Sequence, residues 1–164
     1  MKKIARVLFA WFGMVLAMNA VAGNVLDIYT GLSIDSARSS LHDSSAGLTA
    51  ILSSRYTDKN YGYEVQGGYF GKSGTFTANI KADLCAIGLL PLGSGGLNLY
   101  GKFGAAEVLS TMNVHNLSPT YGAGVEYQRK GMAFRLGIQH FSVGNSSLSS
   151  SLSTNLIGVT LLVK

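Results

Sequence analysis

Tyr61-Gly62-Tyr63-Glu64-Val65-Gln66-Gly67-Gly68-Tyr69 alternates large apolar residues with polar or small ones. Successive side chains of a strand point to opposite faces, so Tyr61, Tyr63, Val65 and Tyr69 share one face while Glu64 and Gln66 occupy the other. Tyr121-Gly-Ala-Gly-Val-Glu-Tyr-Gln128 repeats the arrangement, with Tyr121, Ala123, Val125 and Tyr127 opposite Gly122, Gly124, Glu126 and Gln128. Phe134-Arg-Leu-Gly-Ile-Gln-His140 repeats it again, with Phe134, Leu136 and Ile138 opposite Arg135, Gly137 and Gln139. A period of two sustained over such lengths is the signature of strands with one apolar face.

Extending the pattern predicts eight strands: Asn24–Ser33, Ala46–Tyr56, Tyr61–Gly71, Phe76–Leu90, Leu97–Leu109, Pro119–Gln128, Met132–Val143 and Thr154–Lys164. Most are about 10 residues long, the length a tilted strand needs to cross a hydrocarbon layer. The connections Thr57–Asn60, Pro91–Gly96 and Arg129–Gly131 are short, whereas Ile34–Ser45, Ser110–Ser118 and Gly144–Ser153 are longer and rich in Ser, Asn, Asp and His. They alternate along the chain, as periplasmic turns and surface loops do in an up-and-down barrel; Lys72–Thr75 breaks the alternation by being short. The fold expected is all-β, an eight-stranded antiparallel up-and-down transmembrane β-barrel.

Alternation alone also fits a soluble barrel with its apolar face inside. The polar face decides against that, because glycine dominates it and disfavours a solvated strand surface. Inside a narrow barrel the same small residues leave room for a few large charged side chains. Glu64, Lys81, Asp83, Lys102, Glu126 and Arg135 all fall on this face. Unpaired charges buried from water are costly, and an interior of this strand number is about filled by side chains. The expected interior is therefore an ion-paired plug. Tyr63, Tyr69, Tyr121, Tyr127, Phe103 and Phe134 are expected on the lipid side and in its aromatic girdles.

The start of the chain has another character. Lys2, Lys3 and Arg6 precede an apolar run from Val7 to Met18, and Ala20-Val21-Ala22 follows. This is the order of a secretory signal peptide cleaved after Ala22. Residues 1–22 are read as that leader and 23–164 as the barrel domain, exported through the periplasm. Removing the leader's three basic residues lowers the formal net charge from +5 to +2, and no basic cluster is left for nucleic acid. Cys85 is the only cysteine, so no intrachain disulfide forms; it is expected as a small buried or lumen-facing side chain.

Three segments carry a resemblance to a known family. Glu64-Val-Gln-Gly-Gly-Tyr-Phe-Gly-Lys72, Leu90-Pro-Leu-Gly-Ser-Gly-Gly-Leu-Asn-Leu-Tyr-Gly-Lys-Phe-Gly104 and Ser118-Pro-Thr-Tyr-Gly-Ala-Gly-Val-Glu-Tyr127, with Arg135 beyond, occur in order. Together, over about half the chain, they resemble the OmpA-like transmembrane β-barrel family of small outer membrane proteins in the Gram-negative cell envelope. The resemblance implies lumen ion pairs at Glu64, Lys102, Glu126 and Arg135. It departs from the family in two respects. The peptidoglycan-binding domain that many relatives carry is not present, so wall anchoring is not implied. Leu156-Ile-Gly-Val-Thr-Leu-Leu-Val-Lys164 ends in Lys where such barrels usually end in an aromatic.

One constellation resembles an enzyme's. His140-Phe-Ser142 has the H-x-S spacing of the lipid A 3-O-deacylases, outer membrane barrels whose His and Ser act at the membrane-facing surface. Such a hydroxyl needs His as general base and an acid to orient the imidazole. No Asp or Glu follows Glu126. Thr154 or Asn155 stands where that family places its Glu, and Val143 replaces the Asn after the Ser. His140 is then a girdle residue and Ser142 opens a loop. His42, His115 and His140 lack the Cys or carboxylate support of a metal site, so neither metal nor cofactor is expected. Ser146-Ser-Leu-Ser-Ser-Ser-Leu-Ser153 reads as a solvated surface loop.

The expected function is structural or surface-interacting and non-enzymatic, at the cell outer membrane. Its partners would be outer membrane lipids and lipopolysaccharide, and a surface protein or host ligand met through the loops. The alternatives are the deacylase-like enzyme and a small channel.

Overall fold

The computed structural model describes residues 26–39, 44–57, 59–70, 79–109, 115–143 and 152–164. The leader reading falls on residues outside this set. Eight strands run in chain order: β1 (Leu26–Ser39), β2 (Ser44–Tyr56), β3 (Tyr61–Phe70), β4 (Asn79–Pro91), β5 (Leu97–Leu109), β6 (His115–Arg129), β7 (Met132–Val143) and β8 (Leu152–Val163). Each pairs antiparallel with its sequence neighbour, and β8 pairs with β1 from Thr30↔Val163 to Ser39↔Thr154. The sheet is therefore a closed barrel with no free edge, which satisfies every strand's backbone polar groups without solvent.

Several strands are longer than their patterns predict. β1 continues through Ile34, Asp35, Ser36, Ala37 and Arg38, a stretch expected in a loop, because it ladders with β2 as far as Arg38↔Ser44. β6 likewise begins at His115, opposite Leu109. At β3–β4 the described strands stop at Phe70 and Asn79, and the connection expected at Lys72–Thr75 lies outside the described residues. The ladder overrides local composition here, since a polar segment paired on both sides gains as many backbone hydrogen bonds as an apolar one.

The turns at the other end are tight. β6 and β7 are joined by Lys130 and Gly131, both at positive φ, 47° and 79°, the type I′ arrangement that matches strand twist. Gly93 and Gly96 supply positive φ in the β4–β5 turn, and Leu92 N–H donates to Leu97 O across it at 2.8 Å. The β8 seam is secured at this end by Lys164, whose N–H donates to Gly131 O at 2.7 Å and whose ammonium lies 2.7 Å from Asp27 Oδ1.

Candidate functional site: the charged lumen and the apolar exterior

The barrel is inverted relative to a soluble protein. Side chains of the first apolar set point outward: Phe103 is 65% exposed, Leu90 61%, Val159 61%, Ile138 58% and Leu136 54%. Tyr61, Tyr63, Tyr127 and Phe134 ring the short-turn end of this surface, and Tyr69, Tyr121 and Phe103 lie nearer the other end; all are exposed. Their alternation partners point inward, and Glu64, Lys81 and Glu126 are fully buried, at 0%.

Two charge clusters span the lumen. In the cluster nearer the short turns, Arg135 on β7 donates through Nε to Glu126 Oε2 at 2.6 Å and through Nη1 to Glu64 Oε1 at 2.5 Å. Glu126 and Arg135 are direct cross-strand partners, whereas Glu64 stands on the opposite wall. Arg55, on β2, adds a two-pronged contact, Nη1 and Nη2 reaching Glu126 Oε1 and Oε2 at 2.8 and 2.7 Å. Gln66 Nε2 donates to Glu64 Oε2 at 3.2 Å. Two aromatic rings close over the guanidinium groups. Tyr29 lies 4.6 Å from Arg55 Cζ and Tyr100 5.0 Å from Arg135 Cζ, distances of cation–π attraction. Tyr29 also accepts from Gln128 Nε2 at 2.7 Å.

The second cluster lies toward the long-loop end. Lys81 and Asp83 of β4 pair at 2.6 Å, with the Phe141 ring 5.4 Å from the Lys81 ammonium. Gln139 Nε2 donates to Asp83 Oδ2 and Thr120 Oγ1, each at 2.8 Å, and its Oε1 accepts from Lys102 Nζ at 2.8 Å. Lys102 is thus joined to Asp83 through an amide and not by direct contact. Cys85 is buried beside Asp83, Sγ 3.9 Å from Oδ1. Asp35 forms a third point, accepting from Ser33 Oγ at 2.7 Å and from Thr49 Oγ1 at 2.5 Å. A polar cavity roomy enough for ordered water lies between these groups, lined among others by Asp35, Lys102, Arg135 and Gln139.

All six sequence-selected charges lie in the lumen, and the structure adds two that the pattern did not reveal. Arg55 sits in Leu52-Ser-Ser-Arg55, where serines on both faces erase the alternation. Asp35 belongs to the part of β1 expected as loop. With them the interior, among the described residues, holds Asp35, Glu64, Asp83 and Glu126 against Arg55, Lys81, Lys102 and Arg135, a formally neutral set. The inward glycines make the room: a Cβ at Gly137 or Gly124 would collide with Tyr100, which crosses the lumen above them.

His140 points outward, its ring 4.8 Å from that of Tyr121 at 30°, and its backbone O accepts from Thr120 Oγ1 at 2.9 Å. In the β7–β8 register His140 stands opposite Asn155 and Ser142 opposite Ser153. The side chains of Ser142 and Asn155, and those of His42 and His115, lie outside the described set. Among the described residues no three metal-ligating side chains gather.

No family model matches the chain, and no curated protein sequence matches it. Solved structures do match. Neisserial surface protein A shares 14% identity over 86% of this chain and 97% of its own, with a TM-score of 0.57. The N-terminal β-barrel domain of Pseudomonas aeruginosa OprF shares 13% over 82% and 96%, at 0.55. The outer membrane enzyme PagL shares 10% over 82% and 99%, at 0.51. The likeness is one of fold: the chain has the fold of small eight-stranded outer membrane β-barrels.

Proposed function

We propose that this chain is an outer membrane protein whose barrel is a plugged scaffold: lipid surrounds it, the ion-paired lumen holds its walls together, and its loops meet lipopolysaccharide, a neighbouring protein or a host ligand. The observation that carries the reading is the inversion itself, with fully buried Glu64, Lys81 and Glu126 inside and exposed Phe103, Ile138 and Val159 outside. In water an apolar belt of that extent drives association, whereas in hydrocarbon it is the solvated surface and the closed ladder hides the backbone. The leader read at residues 1–22 supports export. The similarity in fold to Neisserial surface protein A and the OprF barrel supports the address.

The absence of enzymatic activity is part of the proposal. Arg135 and Arg55 are spent on Glu64 and Glu126, and no nucleophile–base pair is described among the lumen side chains. A second reading has one observation in its favour. Asn155 stands opposite His140 in the ladder, and an Asn orients a catalytic His in some hydrolase triads; the barrel of the outer membrane enzyme PagL shares this fold.

Three measurements test these readings. Unboiled protein from the membrane fraction should migrate differently on a gel from boiled protein, and a chain confined to the soluble periplasm sinks the membrane assignment. Purified protein in planar bilayers should give no stable single-channel current, while such currents would mean that the lumen conducts. Lipid A from expressing cells should keep its full set of acyl chains. Loss of one that is restored in His140→Ala would establish the enzyme instead.

A further inference from the structure

The charges of the described residues divide unevenly between the lumen and the short-turn rim. Among the described residues, the lumen holds four acids and four bases, a neutral set. Among the described residues, the short-turn rim carries Lys59, Arg129, Lys130 and Lys164 against Asp27. Among the described side chains, the short-turn rim therefore carries a net positive charge.

Geometry puts Lys59 and Arg129 at the membrane side of that rim. The Lys59 ammonium donates to Tyr61 Oη at 3.2 Å and lies 5.9 and 5.5 Å from the Tyr56 and Tyr61 rings, which are themselves 5.0 Å apart. Tyr61 faces outward in the aromatic girdle, so the ammonium is held where girdle meets water. Arg129 is exposed opposite outward-facing Met132. Lys130 occupies the first central position of the type I′ turn with φ 47°. Asn or Gly is the residue that position favours, and a long side chain there is accepted against backbone preference. The cation is not explained by the turn. The β2–β3 and β6–β7 turns are four strands apart in the eight-strand ring, so the two cationic points straddle the barrel.

We propose that the short-turn rim is a binding surface for anionic phospholipid headgroups, with Lys59 on one side and Arg129 and Lys130 on the other each engaging a lipid phosphate. The inference rests on the membrane assignment. Interfacial cations flanked by amphipathic rings are placed to meet phosphate oxygens while their stems lie along the apolar belt. Lys164 adds to the potential, although its ammonium is shared with Asp27.

The test uses the protein reconstituted in phosphatidylcholine vesicles containing a trace of spin-labelled phosphatidylglycerol or spin-labelled phosphatidylcholine. At low salt the immobilised fraction should be several-fold larger for the phosphatidylglycerol probe. That preference should collapse in a Lys59→Gln, Arg129→Gln, Lys130→Asn variant that keeps its heat-modifiable migration. Equal immobilisation of the two probes by the parent protein, or a preference unchanged in the triple variant, overturns the inference and leaves the membrane assignment standing. Protein that never acquires heat-modifiable migration in vesicles overturns both. Sedimentation with purified peptidoglycan sacculi that depends on the three cations, with no lipid preference, overturns it in favour of the wall.

Discussion

Arg135 donates to Glu64 and Glu126 from opposite walls, and its replacement by Met leaves both carboxylates short of a partner in a buried setting. Breaking a buried pair in this way costs roughly 3–5 kcal/mol, so Arg135→Met should lower the free energy of urea unfolding in vesicles by that order. Combining it with Glu64→Gln should recover part of the loss, because one stranded charge is removed and Arg55 still serves Glu126. A strictly additive loss in the double variant would show that the two groups do not interact. Gly137 poses a steric question beside the electrostatic one. A methyl there meets Tyr100 Oη and the Ala123 carbonyl, and overpacking of this kind costs about 1–3 kcal/mol; Gly137→Ala should be destabilised by that amount, and a neutral result would mean that Tyr100 has room to move. At the rim, the Lys59 ammonium is raised above its ordinary pKa, chiefly by its hydrogen bond to Tyr61. That of Lys164 is raised chiefly by the bond to Asp27. Both shifts extend the charged form upward, so these cations are fully present from about pH 5 to about pH 9. The probe preference should be flat across that window when measured by titration of the vesicles.

The turn between β6 and β7 allows a prediction at the level of the element. Lys130→Asn replaces a side chain disfavoured at positive φ by one that suits a type I′ turn. It should therefore stabilise the barrel by about 0.5 kcal/mol in a zwitterionic detergent, read as a higher urea midpoint, and a lower midpoint would mean that Lys130 contributes a contact within the protein. The strands themselves were legible where alternation is clean, as in β3, β6 and β7, because the apolar belt and the polar lumen impose opposite demands on neighbouring residues. They were less legible in β1 beyond Ser33 and in β2 around Ser53, Ser54 and Arg55. Small hydroxyl residues fit either face there, and only the partner strand, through pairs such as Asp35↔Gly47 and Arg55↔Leu26's neighbour Asp27, sets which side faces in. The same reason hid Asp35 and Arg55 from the lumen charges. The outward H-x-S pair was legible as a spacing, but its opposition to Asn155 and Ser153 is a property of the β7–β8 register, which no single strand carries.

For the whole molecule, the question is which solvent the exterior meets, because a closed barrel with an apolar outer surface and a neutral charged interior is consistent in hydrocarbon and inconsistent in water. Two of the lumen ion pairs also run from wall to wall. Arg55 and Glu64 on one side face Glu126 and Arg135 on the other, so closing the ring brings these walls together and completes the pairing in one step. These cross-wall pairs have little worth until the barrel shuts, which ties stability to closure and to the medium that permits it. The exterior gives a test that separates the two media by sign. Leu136 is exposed in the middle of β7, and Leu90 is exposed at the short-turn end of β4. In a bilayer Leu136→Arg should cost about 2–4 kcal/mol and Leu90→Arg about 0–1 kcal/mol, because the penalty for a cation rises toward the midplane. On a water-exposed surface both substitutions would fall within about 0.5 kcal/mol of the parent. Urea unfolding of the two variants in phosphatidylcholine vesicles should thus give a steep difference with depth. Two equal and negligible effects would show that Leu136 does not face hydrocarbon, and would remove the physical basis for reading the belt of Phe103, Ile138 and Val159 as a lipid surface.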